Sequence, residues 1–73
     1  MKEIEIKSEV TGTVWSIPAE VGEKLDEDDP IIMVESMKME IPVCAPAQGT
    51  VTEIKVTHGD TVTTGQVIAT FTS

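Results

Sequence analysis

The sequence predicts an all-β domain built on an internal duplication. Polar and apolar residues alternate with a period of two, and Gly and Pro punctuate the chain at short intervals. A shift of 37 positions lays one half of the chain on the other. No stretch of ten or more residues carries an apolar stripe of helical period with caps.

In chain order, Glu3-Ile4-Glu5-Ile6-Lys7 alternates as a half-buried strand does. Gly12 to Ile17 is the second strand: Val14 faces one side and β-branched Thr13 favours extended backbone. Pro18 and Gly22 interrupt it. The acidic run Glu23 to Asp29 reads as a solvated turn, with a recognition patch as the alternative. Pro30 opens the apolar run Ile31-Ile32-Met33-Val34, and Ile41-Pro42-Val43-Cys44 follows, ended by Ala45-Pro46. Thr50 to Val56 is the next strand, Gly59-Asp60 and Gly65 mark turns, and Gln66 to Phe71 closes the chain.

The duplication places Gly12-Thr13-Val14 on Gly49-Thr50-Val51, Ile17 on Ile54 and Gly22 on Gly59. It also places Glu23 on Asp60, Leu25 on Val62 and Ile31 on Ile68. Each half alone buries one face poorly. Packed face to face, the two share a core around an approximate two-fold axis. The connection between the halves then projects from one end, and the termini lie together at the other.

Length and composition bound the function. A chain of 73 residues is a single domain, 1–73, that buries roughly 60% of its unfolded surface. Its apolar residues fill one core and leave little for a deep substrate pocket. The formal net charge of -8 argues against nucleic acid as a partner and favours partners with basic surfaces. No apolar run approaches a membrane span, residues 1–10 do not read as a signal peptide, and the single Cys44 permits no internal disulfide. These features predict a soluble protein of a reducing, cytoplasmic compartment. Cys44 has no basic neighbour that would activate it, and one Cys with one His (His58, in a turn) does not make a zinc site. Trp15 reads as a partly buried anchor near a sheet edge.

Near the midpoint lies Glu35-Ser36-Met37-Lys38-Met39-Glu40. Tight hairpin turns favour Gly, Asn and Asp because their central residues need positive φ, and this segment has none of them. A selection other than turn propensity is at work, and covalent chemistry on the Lys38 amine is the simplest candidate. If Met37 and Lys38 form a two-residue turn, Glu35 and Glu40 face each other one pair behind Ser36 and Met39. Such like-charge pairs are mildly destabilising. The two carboxylates are either simply solvated or recognised by a basic partner. Met37 and Met39 read either as apolar filler or as a contact surface for a partner, and their position on both sides of one exposed lysine favours the contact.

Over nearly its whole length the chain resembles the biotinyl, or biotin carboxyl carrier, domain family. Glu35-Ser36-Met37-Lys38-Met39-Glu40 is close to that family's Glu-Ala-Met-Lys-Met, with Ser36 replacing the commoner Ala as one small residue for another. Ala45-Pro46, Gly49-Thr50-Val51, Gly59-Asp60 and Gly65-Gln66 fit the same pattern. The resemblance implies a flattened barrel of two antiparallel four-stranded sheets, with biotin joined to Lys38 on an exposed turn. It implies a biotin protein ligase that supplies deprotonation and an activated acyl group, since Lys38 has no obvious base beside it. It further implies a non-catalytic carrier serving a biotin carboxylase and a carboxyltransferase, to which Glu35, Met37, Met39 and Glu40 are the candidate partner contacts on the residue reading above. Some acetyl-CoA carboxylase carriers insert a protruding thumb, and the Ile17–Gly22 segment leaves no room for one. A lipoyl domain carries its cofactor on a similar hairpin lysine, but typically with Asp-Lys-Ala-like tips. An unmodified structural hairpin module is the remaining alternative.

Overall fold

Eight strands and no helix make up the fold in the computed structural model, which describes residues 2–73. They are β1 (Glu3–Lys7), β2 (Gly12–Ser16), β3 (Lys24–Leu25), β4 (Pro30–Ser36), β5 (Met39–Cys44), β6 (Gly49–Ile54), β7 (Thr61–Val62) and β8 (Val67–Thr72). They form two antiparallel four-stranded sheets. One has the order β1-β8-β6-β3 and holds both chain ends. The other has the order β5-β4-β2-β7 and holds the hairpin that contains Lys38. We call them the terminal sheet and the tip sheet. The expected flattened barrel is the observed architecture.

Each predicted strand is present within two residues of its expected limits. The structure adds β3 and β7, two residues each, in segments that the sequence presents as turns. Both exist because one side chain reaches the core: Leu25 and Val62 are buried, while Lys24 and Thr61 are exposed. The rest of the acidic run stays at the surface, with Asp26 and Asp29 closing a turn through the Asp29 carboxylate.

The duplication extends to individual hydrogen bonds. Thr13 pairs with Glu35 and Val14 with Val34, and 37 positions on Thr50 pairs with Thr72 and Val51 with Phe71. The bulge between Val14 and Ser16 returns between Val51 and Glu53. The Glu23 carboxylate accepts from the Glu20 amide at 3.0 Å, and Asp60 accepts from Thr57 at 2.9 Å. Inward side chains of both sheets, among them Val14, Ile31, Ile32, Val34, Val51, Val62, Ile68 and Phe71, are fully buried in one core. Each such side chain contributes about 1.5–3 kcal/mol of transfer free energy.

The Lys2 amide donates to the Ser73 carbonyl at 3.2 Å, and the Ser73 amide donates back to Lys2 at 3.0 Å. This pair is the repeat counterpart of Ser36 and Met39, which flank the turn at the midpoint. Beside the turn Ser36 is bonded to Thr11 and Thr11 to Thr64, and from there β1 and β8 run side by side away from it to Lys2 and Ser73. The turn and the joined termini therefore mark opposite ends of a body 35 Å long and 17 Å across.

Candidate functional site

The site is the turn at the end of the β4–β5 hairpin. Six residue pairs run from Pro30–Cys44 to Ser36–Met39, so a firm ladder supports it. Beyond its last pair only Met37 and Lys38 remain, and both hold positive φ, at 52° and 66°. A twisted two-residue hairpin demands this geometry, and non-glycine residues enter it at a cost of about 1–2 kcal/mol each. Two unsuited residues therefore complete a turn that Asn-Gly would close with less strain.

Two contacts brace the turn from behind. The Ser36 hydroxyl donates to the Thr11 carbonyl at 2.9 Å. Thr11 is itself fastened, since its Oγ1 accepts from the Thr64 amide at 3.1 Å. Gly12 passes so close to β4 that a Cβ there would collide with the Glu35 carbonyl oxygen. These ties fix the backbone up to Ser36 and leave the side chains beyond it free.

Lys38 is exposed, Met37 is 92% exposed and Met39 64%. Exposed thioethers on both sides of the amine are not core filler. Glu35 and Glu40 face each other across the ladder, one pair behind Ser36–Met39, as the sequence predicts, and both are exposed. Neither carboxylate forms an ion pair with Lys38, because the one ion pair among the described residues joins Lys55 to Glu53 at 3.4 Å. Two surface hollows lie elsewhere, one beside Lys24 and Thr72 and one between β1 and β5, and neither is lined by the tip.

The tip offers one exposed primary amine, which neither hollow encloses and no carboxylate pairs. Such a group suits acylation by an external enzyme. Biotin fits on these grounds: its valeryl carboxyl forms an amide with an amine and needs no cavity. Sequence reasoning did not find the brace at Ser36, because Thr11 is 25 residues away and the bond uses its backbone. Trp15 is 47% exposed on β2, beyond Gly12 and Thr13, the two residues of that strand that β7 pairs, so it borders an open stretch of strand as the sequence suggests. His58 is exposed in its turn. Cys44 lies on β5, where burial first, then Asp28, Asp29 and Glu9, pushes its thiol pKa above the ordinary value of 9.0.

Comparison with known proteins agrees with this geometry. The family described as "biotin-requiring enzyme" matches residues 5–71. Over 65 residues the chain is 34% identical to the biotinylated protein TB7.3 homolog of Mycobacterium leprae, covering 89% of this chain and 92% of the relative. It is 33% identical over 63 residues to the biotin/lipoyl attachment protein of Bacillus subtilis, covering 86% of each. Among solved structures, the urea carboxylase of Kluyveromyces lactis superimposes with a TM-score of 0.93 at 33% identity, over 99% of this chain and 6% of the carboxylase. An exposed lysine on a braced two-residue turn, a duplicated eight-stranded barrel and a family match across both halves together make this chain a member of the biotin-requiring enzyme family, as a biotin carboxyl carrier-like domain.

Proposed function

We propose that the chain is a carboxyl carrier, acylated by biotin on Lys38 and serving two catalytic components of a biotin-dependent carboxylase in the cytoplasm. The observation that carries this reading is the Lys38 amine, exposed at the end of a braced hairpin and in no ion pair among the described residues. A free lysine amine is protonated at neutral pH, with a reference pKa of about 10.4, so it is not a nucleophile unaided. Neither Glu35 nor Glu40 forms an ion pair with it, and a biotin protein ligase supplies the deprotonation. Glu35 and Glu40 give that ligase an acidic pair to recognise, and Met37 and Met39 give it apolar contacts.

Attached biotin supplies a ureido nitrogen that takes up and releases a carboxyl group. The domain contributes reach and position. The Lys38 stem extends from a backbone that the Ser36–Thr11 bond holds still. Tethering keeps the local concentration of the acylated tip high at each active site. Biotin carboxylase and carboxyltransferase perform the chemistry, and the carrier catalyses neither step.

The test is co-expression with a biotin ligase, followed by intact-mass measurement and avidin capture of wild type and Lys38→Arg. Wild type gains one biotinyl group and Lys38→Arg gains none. Biotin on the Arg variant, a lipoyl mass on wild type, or no modification by any competent ligase would each refute the assignment.

A further inference from the structure

The duplication supplies an internal control, because both halves meet the same folding problem in the same register. On the outer face of the tip sheet, Trp15 occupies the bulge opposite Val34 and Met33, and Met33 pairs with Pro42. The counterparts 37 positions away on the terminal sheet are Thr52, Thr70 and Glu5. There Thr52 and Thr70 share a 2.7 Å hydrogen bond, and Thr70 pairs with Glu5. The fold therefore accepts polar side chains throughout this row. An indole, a thioether and a proline ring side by side on one sheet, with Trp15 47% exposed, answer to something other than folding.

The row has a fixed relation to Lys38. Glu35 is the next outward residue of β4 beyond Met33, and it pairs with Glu40. Lys38 lies level with Met37 across the turn, so at about 3.4 Å per residue Met33 is roughly 14 Å from it along the strand direction. One face thus presents an apolar row, an acidic pair and the amine in sequence. No cation of the described residues neutralises the acidic pair. A second copy of the chain is a poor occupant, since it would set a further charge of -8 and another Glu35–Glu40 pair against the first.

We propose that this outer face docks the carrier onto the biotin carboxylase component, a reading that rests on the carrier function above. The partner surface is apolar over Trp15, Met33 and Pro42 and basic over Glu35 and Glu40. Biotin carboxylase is the favoured occupant because ATP and bicarbonate are anions whatever the acceptor, so an entrance that admits them is electropositive, whereas a carboxyltransferase acceptor can be neutral, as urea is for the urea carboxylase. The hairpin then reaches the active site while the sheet face, and not the tip alone, sets affinity.

The test exchanges residues between the repeats: Trp15→Thr with Met33→Thr installs the side chains that the terminal sheet already carries. ATP-dependent carboxylation of the biotinylated double variant, by the biotin carboxylase of the same organism, is expected to show KM raised about tenfold or more with kcat unchanged. Biotin uptake stays at the wild-type level. Independently of the variant, Trp15 is the only tryptophan. Titrating that carboxylase into the unmodified Lys38→Arg carrier shifts its emission to shorter wavelength, less so at high salt. Unchanged KM, or an emission spectrum that stays flat, overturns the proposal. So does a defect confined to biotin uptake or to carboxyltransferase, which would assign the face to the ligase or to the second enzyme. A wild-type chain that takes no biotin removes the carrier reading itself, whereas normal uptake with an unchanged KM removes only the docking face.

Discussion

Ser36 donates its hydroxyl to the backbone carbonyl of Thr11, and so ties the hairpin end to the connection between β1 and β2. The residue just before the turn is thus held to a segment 25 positions earlier, and motion of the tip is confined to the side chains of Met37, Lys38 and Met39. Ser36→Ala removes this tie from an exposed position. The expected loss is about 0.5–1 kcal/mol in denaturant unfolding. Backbone order parameters at residues 37 and 38 should fall by NMR relaxation, and unchanged values would show that the ladder alone fixes the tip.

Gly12→Ala places a methyl group against the Glu35 carbonyl oxygen, and Gly49→Ala does the same at Thr72. In both cases the obstacle is backbone, so relief requires two strands to separate. Each substitution is expected to cost about 1–3 kcal/mol, measured as a lower urea midpoint with unchanged slope. Gly12→Ala should also slow biotin uptake, because it displaces β4 just behind the tip. Gly49→Ala, at the other end of the body, should leave uptake intact in the folded fraction.

Replacing Met37-Lys38 with Asn-Gly relieves the positive-φ strain at both residues. The double variant is expected to unfold about 1–3 kcal/mol less readily than wild type while losing all capacity for biotin. Thermal unfolding and avidin capture on the same sample provide the check. A variant no more stable than wild type would mean that Met37 and Lys38 sit in their turn without strain.

Cys44 is expected to be a sluggish nucleophile. Burial disfavours its thiolate, and Asp28, Asp29 and Glu9 disfavour it further. The folded thiol therefore ionises at higher pH than the unfolded one. The associated stabilisation is complete below the ordinary thiol pKa and is lost as pH rises through the folded value. Alkylation by iodoacetamide at pH 8 should be slower than for a free cysteine, and Asp28→Asn should accelerate it. Equal rates for wild type and the Asn variant would remove the electrostatic contribution.

Much of this was legible in the sequence, for identifiable reasons. The six longer strands carry period-two alternation or continuous apolar runs, and the spacing of Gly12 and Gly49 exposes the duplication. The facing of Glu35 and Glu40 follows from turn length alone. The misfit of Met-Lys at a tight turn pointed to Lys38, and the backbone of those two residues shows why: the turn keeps its demanding geometry with residues unsuited to it. Two-residue strands such as β3 and β7 are too short to display a period, and only the alignment of Leu25 with Val62 hinted at them. The short strand β7 pairs only Gly12 and Thr13 of β2 and leaves the strand open beside Trp15.

Since the Lys2–Ser73 pair repeats the geometry of Met39–Ser36, bridging residues 73 and 2 with two amino acids would recreate the same bend at the far pole. A Met-Lys bridge would then yield a closed ring bearing two cargo amines that point in opposite directions. Opening such a ring at the original turn would give a permuted chain whose new lysine does the work of the old one.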